Sequence, residues 1–194
     1  MKTIESLIAR ARHWQLFVLM LLPIAVAYYL YFPLLPEDPG ASPERTFAAV
    51  QANFTKMMLL SVPGYLLFYA WVWVVGRVCN GSLPPGSRRH GRVFNFAVPF
   101  ALCYLPIATF AFPEVIATDG WHWSGAILFP LHVVVSLLII YAIIFAARSV
   151  ASLGRDRRAG SGRSFLFFLG ILYFPIGLWV IQPRVNAAFA KSRP

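Results

Sequence analysis

Four stretches of this chain are apolar over the length that a membrane crossing needs: His13 to Leu35, Met57 to Val78, Phe94 to Phe112 and Gly125 to Ala147. A helix of about 20 residues covers the roughly 30 Å hydrocarbon layer of a bilayer. None of the four contains an acidic residue, and Arg77 and His13 stand only at their ends. They cannot all be hidden in one soluble core. Of the 194 residues 59% are apolar and 12% charged, against roughly 45 to 50% and 25% in a soluble domain, and a small domain leaves about a third of its potential surface in water. The surplus faces lipid. The expected fold is an all-α integral membrane protein forming a single membrane domain over residues 1–194, with the lipid bilayer as its first partner.

A fifth apolar stretch, Ser164 to Gln182, is long enough to cross but contains Gly170, Pro175 and Gly177, and a basic tail follows at 183–194. Proline in a helix interior removes a backbone hydrogen bond and clashes with the preceding turn. Membrane helices tolerate it where neighbours satisfy the freed groups. The segment is therefore read as spanning, re-entrant or interfacial, with a break expected at Pro175-Ile176-Gly177. The first stretch has signal-peptide traits, since Arg10 and Arg12 precede it and Ala25-Val26-Ala27 is a small-x-small site. Its apolar run continues through Tyr28 to Phe32, which favours a retained anchor.

The chain carries 17 Lys and Arg against 7 Asp and Glu. A net charge of +10 raises nucleic acid as a partner, but the cations alternate with the spans. Lys2, Arg10 and Arg12 precede the first; Glu37, Asp38 and Glu44 outnumber Arg45 and Lys56 after it. Arg77, Arg88, Arg89 and Arg92 follow the second span, Glu114 and Asp119 the third, and Arg148, Arg155, Arg157, Arg158 and Arg163 the fourth. By the positive-inside rule the N-terminus and the second and fourth connections are cytoplasmic, so the charge records topology and nucleic acid is not expected. Arg88, Arg89, Arg155, Arg157 and Arg158 are also candidate contacts to anionic lipid headgroups, since a cation near the surface contributes about 1 kcal/mol. The tail with Arg184, Lys191 and Arg193 fits the rule only if the fifth segment does not span.

His132 is the most suggestive polar residue within a span, with Ser136 one turn away and Ser61 in the second span. Ionisable groups at such depth usually face the bundle interior; a neutral imidazole bonded to a carbonyl freed by proline is the plainer alternative. Pro63, Pro99 and Pro130 are candidate helix breaks, and broken helices line sites in transporters. As kinks they would simply shape the bundle. His122 is the one histidine on the same side as His132, so no pair suits haem, and zinc-ligand spacings are absent. No cofactor or metal is expected. Trp121 and Trp123 read as interfacial anchors, and Cys79 and Cys103 as free thiols in packing.

The pieces His13-Trp14-Gln15-Leu16-Phe17, Pro130-Leu131-His132, Phe145-Ala146-Ala147-Arg148-Ser149, Phe174-Pro175-Ile176-Gly177-Leu178-Trp179 and Ile181-Gln182-Pro183-Arg184-Val185-Asn186 resemble a set of uncharacterised small bacterial polytopic inner-membrane proteins ending in such a block. The resemblance covers most of the chain and implies a bacterial inner membrane; no activity comes with it. The chain departs from it at Arg155 to Ser164, where an acidic linker containing Phe, Asp and Tyr is the pattern.

With no carboxylate or nucleophile constellation in the spans, the expected function is that of a non-enzymatic inner-membrane subunit, a scaffold, sensor or accessory component. It would act by self-association as a homo-oligomer or on a partner membrane protein. A small homo-oligomeric channel or transporter with a path near His132 is the alternative, and an intramembrane lipid-modifying enzyme the second.

Overall fold

The computed structural model describes residues 2–31, 43–117, 123–153 and 161–191, and every element among them is helical. A short helix α1 (Lys2–Arg10) leads through Ala11 and Arg12 into α2 (His13–Tyr31). Then come α3 (Pro43–Gly81), α4 (Arg92–Ala117) and α5 (Trp123–Ala151), and the chain closes with α6 (Ser161–Leu172) and α7 (Phe174–Lys191). Four of these helices, α2 to α5, are long and apolar enough to cross a membrane, and they coincide with the four stretches read from the sequence. The longest, α3, has 39 residues and so is about 58 Å long at 1.5 Å per residue. Only Ala52–Gly81 within it is the apolar span; its first turns extend beyond.

The core lies toward the end of the bundle where α3 ends, α4 begins and α5 ends. There Trp71, Val74, Val75 and Cys79 of α3, Phe94 and Val98 of α4, Phe145, Ala146 and Val150 of α5, and Leu178 and Ile181 of α7 are buried together. The Phe94 and Phe145 rings stack with centroids 4.4 Å apart. Elsewhere α2 and α5 keep broad apolar faces outward, with Leu19, Leu22, Val133, Val134 and Leu137 exposed, as a lipid-facing surface requires. Close approach of α2 to α3 depends on Gly64, where an added Cβ would fall onto the Met20 carbonyl. Cys79 and Cys103 are both free thiols.

The expected helix breaks at Pro63, Pro99 and Pro130 are not ends of helices, because α3, α4 and α5 continue through them. The turn expected at Pro175 to Gly177 falls instead at Tyr173, between α6 and α7, where the chain bends by 120°. Tyr173 serves both helices. Its N–H donates to Leu169 O (2.8 Å) to close α6, and its carbonyl accepts from Ile176 (3.0 Å) and Gly177 (3.1 Å) to open α7. Pro175 thus stands in the first turn of α7, where the missing N–H has no partner to lose and the fixed φ suits the helix. Gly177 faces Gly170 across the hairpin, and an added Cβ at Gly177 would collide with the Gly170 carbonyl. The segment after Gln182, read from the sequence as a tail, is helical to Lys191 with Val185 and Ala188 buried.

Candidate functional site

The fold-back of α6 on α7 returns the end of the chain to the place where α6 began. Arg163 on the first turn of α6 and Lys191 at the end of α7 therefore line one cleft of about 600 Å³, together with Gly81 and Ser82 at the end of α3, Arg88, Val150 and Leu153 at the end of α5, and Arg184. Sequence-distant cations converge here. Arg88 comes from the connection after α3; Arg184 and Lys191 sit seven residues apart, two turns along one face of α7. Between them the small Ala187 and Ala188 leave the cleft its room.

Each wall is fixed by local chemistry. The connection after α3 is pinned by Asn80, whose side chain accepts from the Arg89 N–H (2.9 Å) and donates to the Arg89 carbonyl (3.1 Å). The 3-10 turn Pro85–Ser87 lies inside that loop. Arg88 Nε donates to Leu83 O at 2.8 Å, and the Arg184 guanidinium lies over the Phe167 ring, 4.6 Å from its centroid. Ser82 Oγ reaches both Val78 O (2.8 Å) and Ala188 O (3.3 Å), joining α3 to α7. Two of the four cations are thus oriented by a carbonyl and an aromatic ring, groups that carry no counter-charge of their own. No acidic residue among the described residues lines the cleft. The C-terminal ends of α3 and α5 add a partial negative charge near it, which helps hold the cations but falls far short of four charges.

What sets α7 in this position is a buried amide. Gln182 is fully buried; its Oε1 accepts from Trp71 Nε1 at 2.8 Å, while its Nε2 donates to Ile8 O (2.9 Å) and meets Ala11 O at 3.2 Å. The last carbonyls of α1 have no partner within that helix, and Gln182 supplies one from the far end of the chain. The Trp71 indole is a donor only, which fixes which way the Gln182 amide points. Asn186, one turn on, accepts from Gln182 Nε2 through its Oδ1 at 2.8 Å and brings its Nδ2 to 3.4 Å from Ala11 O. Glu5 of α1 also pairs with Arg77 of α3 at 3.9 Å, and the Arg77 guanidinium lies 4.8 Å from the Trp73 ring centroid.

The site residues read from the sequence divide. Of the candidate headgroup contacts, Arg88 lines the cleft and Arg89, exposed beside it, does not; Arg155, Arg157 and Arg158 lie outside the described residues. His132 is exposed on α5 with its Nδ1 3.2 Å from the Tyr104 hydroxyl of α4. Ser136 is half-buried a turn further on. Ser61 is buried, and its hydroxyl donates to Met57 O on its own helix, the usual partner for a serine inside a span. None of the three lines the basic cleft. His122 and Trp121 lie outside the described residues, and no group of three or more potential metal-ligating side chains occurs among the described ones. Arg163, Arg184 and Lys191 stand out in the sequence only by their charge, and Gln182 as the end of the fifth apolar stretch. Gln182 had a visible signal, because it interrupts the apolar face set by Leu178, Ile181, Val185 and Ala188.

No family model, no curated protein and no solved structure matches this chain.

Proposed function

We propose that this chain is a non-enzymatic multi-pass component of the bacterial inner membrane that holds an anionic group at its cytoplasmic face, as a scaffold, sensor or accessory subunit. The observation that carries this reading is the convergence of Arg88, Arg163, Arg184 and Lys191 on one cleft with no described acidic residue in its lining. Four like charges gathered in one cleft repel, and an anion relieves that repulsion. Anionic headgroups are the abundant anions at a cytoplasmic membrane surface, where each nearby Lys or Arg contributes about 1 kcal/mol of attraction. The positive-inside rule supports the same orientation, since the second connection, the start of α6 and the end of α7 are all basic and all meet at this cleft.

The test compares thermal unfolding of the full chain in neutral detergent with added phosphatidylglycerol or phosphatidylcholine. Selective binding of the anionic lipid raises the midpoint by about 5 °C at saturating lipid, the increment shrinks in high salt, and Arg88→Gln with Lys191→Gln removes most of it. Equal shifts from the two lipids would overturn the reading.

A further inference from the structure

The basic cleft is not closed on the side of the hairpin. A second hollow of about 470 Å³ runs between α6 and α7, lined by Leu166, Phe167, Leu169, Gly170, Tyr173, Ile176, Gly177, Val180 and Ile181, with Arg163 and Arg184 at one end. Those two arginines also line the basic cleft, so the polar and apolar hollows meet at them. The glycine contact forms part of the floor of the apolar groove. Gly170 and Gly177 bring the helix backbones together, and the larger side chains on either side of that contact stand apart as the two helices diverge from the bend.

We infer that the hairpin binds a phosphate-bearing lipid, with an acyl chain in the groove between α6 and α7 and its phosphate between Arg163 and Arg184. The inference rests on the anion-binding reading above and adds the chemical class of the ligand: one molecule with a charged head and an apolar chain. Charge complementarity selects it from other occupants. An apolar peptide helix would fill the groove and leave the two guanidinium groups without a counter-charge, whereas a free phosphate would satisfy them and leave the groove empty. Phosphate suits a junction lined by two arginines, because it accepts hydrogen bonds from two guanidinium groups at once. Arg184 is held by its contact with Phe167, so one half of that fork is already oriented.

The experiment measures binding to the full chain in neutral detergent by native mass spectrometry and by thermal shift, using phosphatidylglycerol and, separately, glycerol 3-phosphate. Phosphatidylglycerol is expected to bind at least about tenfold more tightly than glycerol 3-phosphate, because only the lipid adds packing contacts along the groove to the anion at the two arginines. Val180→Trp and Leu166→Trp, both at exposed positions in the groove lining, fill it. Each is expected to weaken phosphatidylglycerol by about tenfold while leaving glycerol 3-phosphate unchanged, and Leu172→Trp, exposed but outside the lining, leaves both ligands unaffected. Equal affinity for the two ligands, or undiminished lipid binding by both groove-filling variants, overturns the groove assignment and leaves the anion reading in place. No binding of either ligand overturns both; binding that Arg163→Gln with Arg184→Gln does not alter overturns the phosphate placement, and the anion reading falls with it if Arg88→Gln with Lys191→Gln also leaves binding unchanged.

Discussion

Gln182 sits where an unpaired amide would be most costly, fully buried beside Leu178, Ile181 and Val185. It is tolerated because both ends of the amide are matched, Oε1 by the Trp71 indole and Nε2 by the carbonyls of Ile8 and Ala11. Replacing it by leucine preserves apolar volume but orphans a buried indole N–H, at about 1 to 3 kcal/mol, and leaves the Ile8 carbonyl only the longer bond from the Ala11 N–H (3.3 Å). Gln182→Leu is therefore expected to lower unfolding stability by about 1 to 3 kcal/mol. Trp71→Phe made in that background should cost about 1 kcal/mol less than the same change in the native chain, because the bond it removes is already gone. Denaturant titration of the four proteins in micelles measures this, and strict additivity would show that the two side chains do not act as a pair. At this scale little was legible. The basic residues of the cleft were visible in the sequence as topology markers, and Arg88 as a headgroup contact, but their meeting depends on a chain reversal that spacing does not encode.

At the scale of elements, the four spans were legible because an uninterrupted apolar run of about 20 residues has few other uses. The hairpin was legible only as an irregularity. Pro175 reads as a helix breaker when its position in the helix is unknown, yet in the first turn it is compatible with the helix it begins. The reversal belongs to Tyr173, a residue with no turn signature, and what stabilises it is the Gly170 to Gly177 contact across the bend. Gly177→Ala is expected to destabilise the protein by about 3 kcal/mol, as overpacking against backbone does, because the atom in the way is the Gly170 carbonyl and not a side chain that can turn aside. Gly162→Ala, where an added Cβ meets nothing within 4 Å, should be neutral or raise stability by up to about 1 kcal/mol. Thermal midpoints of the two variants provide the comparison; similar losses in both would refute the contact as the cause.

For the molecule as a whole, the folded-back hairpin accounts for the basic end of the chain. With 12 residues, α6 is about 18 Å long, short of the roughly 30 Å a crossing needs, and its partner α7 brings Lys191 back to the cleft that Arg88 and Arg163 line. A single cysteine placed at Lys191 and one placed at Arg88, in a chain lacking Cys79 and Cys103, should be labelled from the same side of sealed membranes by an impermeant thiol reagent. Labelling from opposite sides would mean that α6 and α7 together cross. The amide cap on α1 has a further consequence, for the order in which the protein is made. Ile8 and its partner Gln182 are 174 residues apart, so during synthesis the first helix leaves the ribosome long before the group that completes its end exists. The helix α1 can gain this cap only after α7 has been made, so its seat is completed late in the synthesis of the segment between them.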